Sequence, residues 1–390
     1  MSSLKEQEKI EANEIREKFI FVENELQKFI IERVDEIHGI TLSILSGLNI
    51  LFLGSPGIAK SYLIDNYVKF IYDFSLFKIQ LTKFSTPEEL WGPFSIPSLK
   101  NGEFVRVTKG KFPEADIAFI DEIFKANSGI LNSLLLAINE REFINNGERI
   151  KIPLLTLIGA SNEIPDSQDG LDAMYDRMVL KYISKPIQEN YNFVNMLRAE
   201  LPNIKPIISL KEIYTLRDYI ANNIILDEEA EEILVRLRSS FIKENIVVTD
   251  RTWKNCIKLL KAEAFFRGDE KINATHFDVL QHALWKSIDR KKQIELLILN
   301  ISNPIKYQLM EYLEEIKNIV KNIEKEEDET AKISMAVEGT KKIKELIEKM
   351  NKAIDETEKI KKNIRDLRKL LKKAEEQLLK CISFVGVKIS

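Results

Sequence analysis

Asn49-Ile50-Leu51-Phe52-Leu53-Gly54-Ser55-Pro56-Gly57-Ile58-Ala59-Lys60-Ser61 runs from an apolar strand, through a glycine turn, into a helix that opens on Lys-Ser. This order is what a phosphate-binding loop requires. Backbone N–H groups converge on a β-phosphate, a lysine neutralises the β/γ oxygens, and a hydroxyl reaches Mg²⁺. Gly54, Ser55, Pro56, Gly57, Ile58, Ala59, Lys60, Ser61 and the following Tyr62 are the candidate nucleotide-binding residues. One position departs from the usual pattern: Ala59 stands where glycine is expected. As the residue that opens the helix, Ala59 is expected at negative φ, with Gly57 taking the unusual dihedral. A chance Lys-Ser in an ordinary turn is the bland alternative, and the flanking strand and helix argue against it.

Downstream, Asp116-Ile117-Ala118-Phe119-Ile120-Asp121-Glu122 reads as a buried strand ending in two carboxylates. Ligands collect at the carboxyl ends of strands in open α/β sheets. Asp121 is therefore expected to hold Mg²⁺ through water, and Glu122 to polarise an attacking water. Leu154–Ala160 reads as a further strand running into Asn162, whose amide can position the same water. Phe77–Phe84 and Val179–Ile183 complete five strands. Apolar strands alternating with helices predict a parallel sheet covered on both faces.

Around this core the chain is helical. Residues 6–36 form a charged lead-in. Thr86-Pro87-Glu88-Glu89 is a helix start, and Asn101-Gly102 between strand-like flanks predicts a β-hairpin. From about residue 205 strand signals stop, and 226–243, 251–266 and 273–284 read as a small helical domain. Two runs of four-three spacing follow. One is Ile305, Leu309, Tyr312, Ile316, Ile319 and Ile323. The other is Leu346, Met350, Ala353, Thr357, Ile360, Ile364, Leu367, Leu371, Ala374 and Leu378. With Gly339 as the turn, they predict a long antiparallel, coiled-coil-like hairpin, an ordinary bundle on the lid being the alternative. The expected division is 1–204, an α/β core with its lead-in; 205–290, an all-α lid; and 291–390, a helical hairpin.

Composition sets limits. Among 390 residues, Lys+Arg 58 against Asp+Glu 61 gives a net charge of −3, which argues against general nucleic-acid coating. Gly 14 and Pro 11 are few, so long disordered linkers are not expected. Two cysteines and three histidines exclude a disulfide framework and a Cys-rich zinc site. The most apolar stretch, Ile40 to Gly54, is shorter than the roughly 18 residues of a membrane span. No signal peptide is read, and a cytoplasmic location is expected.

The motifs, taken in order, resemble a AAA+ ATPase of the MoxR family, RavA type. The segments that carry the likeness are Gly57–Ser61, Phe84–Pro93, Phe119–Ala126, Leu136–Arg141, Ala160–Glu163 and Tyr175–Met178. An alanine at position 59 is itself usual in that type. The resemblance implies that Gly54–Ser61 is the Walker A motif and Asp121-Glu122 the Walker B end. It makes Asn162 sensor 1, Arg177 an arginine finger acting on a neighbouring subunit, and Arg251 sensor 2. Ser61 and Asp121 would hold Mg²⁺, Ile31 and Gln188 would line the adenine pocket, and the segment around Asn101-Gly102 would be the helix-2 insert. It further implies ATP and ADP as ligands, a hexameric ring, a protein client and a partner carrying a von Willebrand A domain. The last hundred residues depart from the RavA pattern, in which a small β-rich module interrupts a helical domain. Two rivals stand beside an ATP-driven remodeller. One is a nucleic-acid motor using Lys100, Arg106, Lys109 and Lys111 near the insert; the other is a nucleotide-gated scaffold with little turnover, against which Glu122 argues.

Overall fold

All four side chains of Ile50–Leu53 are buried, as an apolar strand covered on both faces requires. In the computed structural model, which describes residues 2–163, 172–359 and 365–385, this strand (β1) is interior to a five-stranded sheet. Helices α1 (Ser2–Gln27) and α2 (Val34–Ser46) precede it. The chain then runs through α3 (Lys60–Tyr67), β2 (Ile71–Tyr72), β3 (Leu76–Gln80), α4 (Pro87–Trp91), α5 (Ile96–Lys100) and β4 (Ile117–Asp121). Next come α6 (Ser128–Glu140), the strands β5 (Glu142–Asn145) and β6 (Glu148–Lys151), β7 (Thr156–Ser161), α7 (Asp172–Arg177) and β8 (Leu180–Ile183).

The sheet order is β3-β4-β7-β1-β8, every pair parallel, with Ile50 in register with Ile158 on one side and Leu180 on the other. The chain crosses from β1 to the far edge at β3, returns through β4 and β7, and then passes to the other side of β1. The direction of crossover therefore reverses between β7 and β1, and the crevice at their carboxyl ends is where such sheets bind ligands.

Two expectations in this half are corrected. The second strand stops at Gln80, because Thr82 to Ser85 closes a turn in which Thr82 N–H donates to Ser85 Oγ at 3.1 Å. The segment around Asn101-Gly102 is a loop whose arms meet in one antiparallel bridge, Phe94 with Arg106, and not a two-stranded hairpin. Ser95 caps α5 inside it, and Gly102 takes φ +78° at the turn. The true hairpin is β5–β6, turned at Asn146-Gly147 with both residues at positive φ. Asn145 and Asn146 tie the two loops by accepting from Arg106 N–H at 2.7 Å and Phe104 N–H at 2.9 Å.

After β8 come α8 (Asn190–Arg198) and the short strand β9 (Ile208–Ser209), which pairs with β2. The helices α9 (Leu210–Asn223), α10 (Glu228–Lys243) and α11 (Asp250–Arg267) follow, with a 3₁₀ segment, Ala274–His282. Both α9 and α11 pack on α2. An ionic group around the buried carboxylates Glu23 and Glu263 pins α11 there: His38 lies 3.0 Å from Glu23 and 2.7 Å from Glu263, and Arg267 reaches Glu263 at 2.5 Å. Burial disfavours the charge on His38, but the two carboxylates raise its pKa well above the usual value. Burial likewise penalises Glu263, yet His38 and Arg267 bring its carboxyl down to about 2.

The chain divides into two compact units, Met1–Lys291 and Lys292–Ser390, and α12 (Ile288–Ser302) carries it from one to the other. In the second unit α13 (Pro304–Lys325), α14 (Glu329–Lys359) and α15 (Arg365–Ser383) each pack on the other two. The expected two-helix hairpin is thus a bundle. Gly339 lies inside α14, where a Cβ would stand 3.0 Å from both Ile319 and Ile323 and 3.5 Å from Cys381 Sγ. The turn falls instead at Glu326–Asp328, where Asp328 Oδ1 accepts from Ala331 N–H at 2.7 Å. The buried seam of α13 is Leu309, Leu313, Ile316, Val320 and Ile323; Ile305, Tyr312 and Ile319 are only partly covered. The second run spans two helices, and its Ile360 and Ile364 lie outside the described residues. Among the described residues no helix is long and apolar enough to cross a membrane.

Candidate functional site

Gly54 follows β1 at φ +150°, and a Cβ there would meet Ser184 O at 2.4 Å, so the loop leaves the sheet where only glycine fits. Gly57 has φ +79° with open space around it. Ala59 overturns the expectation of a negative φ. It is left-handed (φ +65°, ψ 23°) and occupies the N-cap position of α3, not its first turn. Its carbonyl already accepts from Leu63 N–H at 2.9 Å, so the chain must reverse direction at this residue to start the helix.

Lys60 points back across the loop. Its ammonium donates to Gly54 O, to Ser161 O at 3.3 Å and to Asn162 Oδ1 at 2.8 Å. The Asn162 amide in turn donates to Glu122 Oε1. Residues from the ends of β1, β4 and β7 are thereby joined in one chain, Lys60–Asn162–Glu122. Burial lowers the Lys60 pKa, opposed by Asp121 and Glu122. Glu122 is 5% exposed and left-handed at φ +53°. Its Oε2 is enclosed without a hydrogen bond, with the Lys125 ammonium 3.4 Å away. Strain of this kind at a buried carboxylate fits a group held for a task. Asp121 Oδ1 accepts from Glu122 N–H at 3.0 Å. Asp121 with the Ser61 hydroxyl offers hard oxygen donors in small number, the donor set of Mg²⁺ held mainly by water and phosphate.

The two arginines sit apart from this chain. Arg177 Nε donates to Asn139 Oδ1 at 3.1 Å, and Arg251 Nη1 to the same oxygen at 3.3 Å. Arg177 also holds Ala173 O at 3.0 Å. Burial and then the Arg251 charge lower its pKa. Asp176, beside Arg177 in sequence, pairs with Lys286 at 3.3 Å. Among the described residues no hydrogen bond or ion pair links either arginine to Lys60 or Glu122.

At the other flank, Glu32 accepts from Gln188 N–H at 2.8 Å, Glu189 N–H at 3.1 Å and Asn192 Nδ2 at 2.9 Å. These bonds bring the turn holding Ile31 to the segment holding Gln188. Arg33 joins them, donating to Lys185 O at 2.5 Å and reaching Ile58 O at 3.5 Å. Tyr62 meets Phe29 edge-on at 6.4 Å.

Comparison with known proteins decides the family. Residues 17–203 match the MoxR domain of MoxR–vWA–beta-propeller ternary systems, and residues 211–298 match an AAA lid domain. The chain belongs to the MoxR family of AAA+ ATPases. Two uncharacterised proteins of Methanocaldococcus jannaschii are similar over about four fifths of their length. MJ0079 is 37% identical over 79% of this chain and 80% of its own length, and MJ0812 is 36% identical over 78% and 82%. A structural protein of Acidianus two-tailed virus, ORF618, is 29% identical over 55% of this chain and 37% of its own length. A candidate ATPase of Cytophaga hutchinsonii shares the fold, with TM-score 0.60 at 20% identity, covering 77% of this chain and 98% of that one.

For a MoxR protein, the sequence reading missed Asn139, Lys125, Glu32 and Arg33. Asn139 and Lys125 lie within segments already quoted for the resemblance, but only the fold shows what they touch. Glu32 and Arg33 sit beside Ile31, and a Glu-Arg pair between two helices carries no signal of its own.

Proposed function

We propose that this MoxR protein hydrolyses ATP as a ring-forming, RavA-like remodeller of protein clients. What supports the reading most is the Lys60–Asn162–Glu122 chain at the carboxyl ends of β1, β4 and β7. ATP lies along Gly54–Ser61, and its terminal phosphates take the Lys60 ammonium from Gly54 O and Asn162. Glu122, held through Asn162, orients and polarises the water that attacks the γ-phosphorus; ADP leaves as the phosphoryl group passes to that water. Ser61 and Asp121 would hold Mg²⁺, which when bound would supply positive charge against the terminal phosphates. The base rests between Tyr62, Ile31 and the Gln188 segment clamped by Glu32. Arg177 and Arg251, away from their own Lys60, act on a neighbouring subunit, most simply in a hexamer. The matched family description supports a von Willebrand A-domain partner.

The nucleic-acid alternative loses support at the insert. Arg106 stacks 4.0 Å over Phe94 and donates to Gly92 O at 2.7 Å, and Lys111 donates to Glu89 O at 3.2 Å. Two of its four basic contacts are thus already engaged.

The test is paired. Glu122→Gln keeps size and the Asn162 hydrogen bond while losing the carboxylate, so ATP should bind normally and turnover should fall by about two orders of magnitude or more. Lys60→Ala should lose ATP binding itself, read by calorimetry. Undiminished turnover in Glu122→Gln places the base elsewhere.

A further inference from the structure

At the amino-terminal end of the sheet, on the side opposite the phosphate loop, Arg141 and Arg217 approach one another around Gly47. Arg141, at the end of α6, takes the left-handed conformation (φ +54°) and donates through Nη2 to Gly47 O at 3.2 Å and Asn49 Oδ1 at 3.4 Å. Arg217 comes from α9. Its Nη2 occupies the space a side chain on residue 47 would fill, 2.2 Å from where a Cβ would stand. Burial, and then the nearby Arg217 charge, push the Arg141 pKa down to about 10. Arg141 Nη1 is enclosed and makes no hydrogen bond.

With Tyr214, Asp218, Leu154 and Leu155, these arginines line an open pocket of about 370 Å³. The ends of α2 and α6 supply partial negative charge, which explains one capping arginine. It does not explain a second. Arg217 makes no hydrogen bond among the described residues, and the one carboxylate lining the pocket, Asp218, leaves the three charged groups at a sum of +1. Two planar guanidiniums with free N–H groups suit a tetrahedral oxyanion better than a single lysine does.

We propose that this pocket binds a phosphoryl group carried by a small soluble ligand, Arg217 making the direct contact and Arg141 adding its charge from behind. The ligand bridges the core, through Arg141, to the lid, through Arg217 and Tyr214, so its binding restrains the movement of one against the other.

The test is thermal unfolding of the full chain carrying Lys60→Ala, which removes the phosphate-loop cation and keeps this site separate from the proposed ATP site. Inorganic phosphate should raise the midpoint by about 2–4 °C at saturation, and sodium chloride of matched ionic strength should not. Adding Arg217→Gln should abolish the rise while leaving the midpoint without phosphate unchanged or higher, since it relieves a like-charge contact. Broadening of the phosphate ³¹P resonance by the Lys60→Ala chain, lost with Arg217→Gln, reads the same site independently of stability. Equal protection with and without Arg217, or equal protection by chloride, overturns the site. Equal protection by citrate overturns the phosphoryl assignment.

Discussion

Ala59 and Glu122 are L-residues held in left-handed backbone at the two ends of the proposed catalytic chain. For alanine that conformation costs about 1–2 kcal/mol, and glycine would relieve it while adding about 0.4–1 kcal/mol of unfolded-state freedom. Ala59→Gly should therefore raise the thermal midpoint slightly, and Ala59→Val should lower it; nucleotide-free unfolding scans check both. A clear loss of stability in Ala59→Gly would show that the loop does not carry this strain. Lys60, Ser61, Asp121 and Glu122 stood out as candidates in the sequence because each motif is contiguous and its neighbours announce the strand or helix that carries it. The conformation of Ala59 was not legible, since whether a residue opens a helix or caps it depends on one peptide's direction. The Glu32 clamp was also hidden. Its partner Gln188 is 156 residues away, and nothing local marks either.

At the scale of elements, α11 is fastened to α2 by four charged groups, the buried Glu23 and Glu263, the half-buried His38 and the exposed Arg267, which balance when His38 is protonated. Glu263→Gln removes the buried carboxylate that joins His38 to Arg267 but leaves His38 its Glu23 partner and Arg267 in solvent, so it should lower stability by less than the roughly 3–5 kcal/mol of breaking a fully buried pair, read by urea unfolding. The pH dependence has two arms. Glu263 is held at about 2, below its ordinary value near 4.5, so its contribution is complete above that value and is lost as pH falls toward about 2. His38 is raised, so its contribution is complete below pH 6.5 and is lost as pH rises through its higher native value. A stability profile flat across both arms would mean that the cluster does not fasten the helix. In the second unit, Gly339→Val should destabilise the bundle by forcing α13 from α14, with the change read as loss of the cooperative helical transition. Here the four-three spacing marked helical segments, but only Leu309, Ile316 and Ile323 of the first run lie on the buried seam. It did not count helices, because a heptad stripe looks the same on two helices as on three, and a glycine among charges reads as a break when its role is close approach.

On the scale of the whole molecule, the division of labour between Lys60 and Arg177 is the testable point. If each cleft is completed by a neighbour, Arg177→Ala should bind ATP nearly normally and hydrolyse it poorly. An arginine acting across an interface accounts for about 10³–10⁵ in rate in the strongest cases, and the effect here should be smaller because Arg251 stands beside it on Asn139. Mixing Arg177→Ala with Lys60→Ala chains should restore part of the turnover, since mixed interfaces then contain one intact cleft. Mixed chains that co-assemble yet stay inactive would confine Arg177 to a structural role.

The contact of Asn162 with both Lys60 and Glu122 has a consequence for idle molecules. An enzyme with an exposed, ready carboxylate and a free ammonium would bind stray anions and activate water to no purpose. Here a single amide ties the two groups together, and on the proposed reading an incoming polyphosphate draws the lysine away. Removal of the lysine frees one side of Asn162, and the glutamate's geometry then changes with it. On that reading the arrangement would work as an interlock, the arrival of the polyphosphate at Lys60 being felt at Glu122 through Asn162.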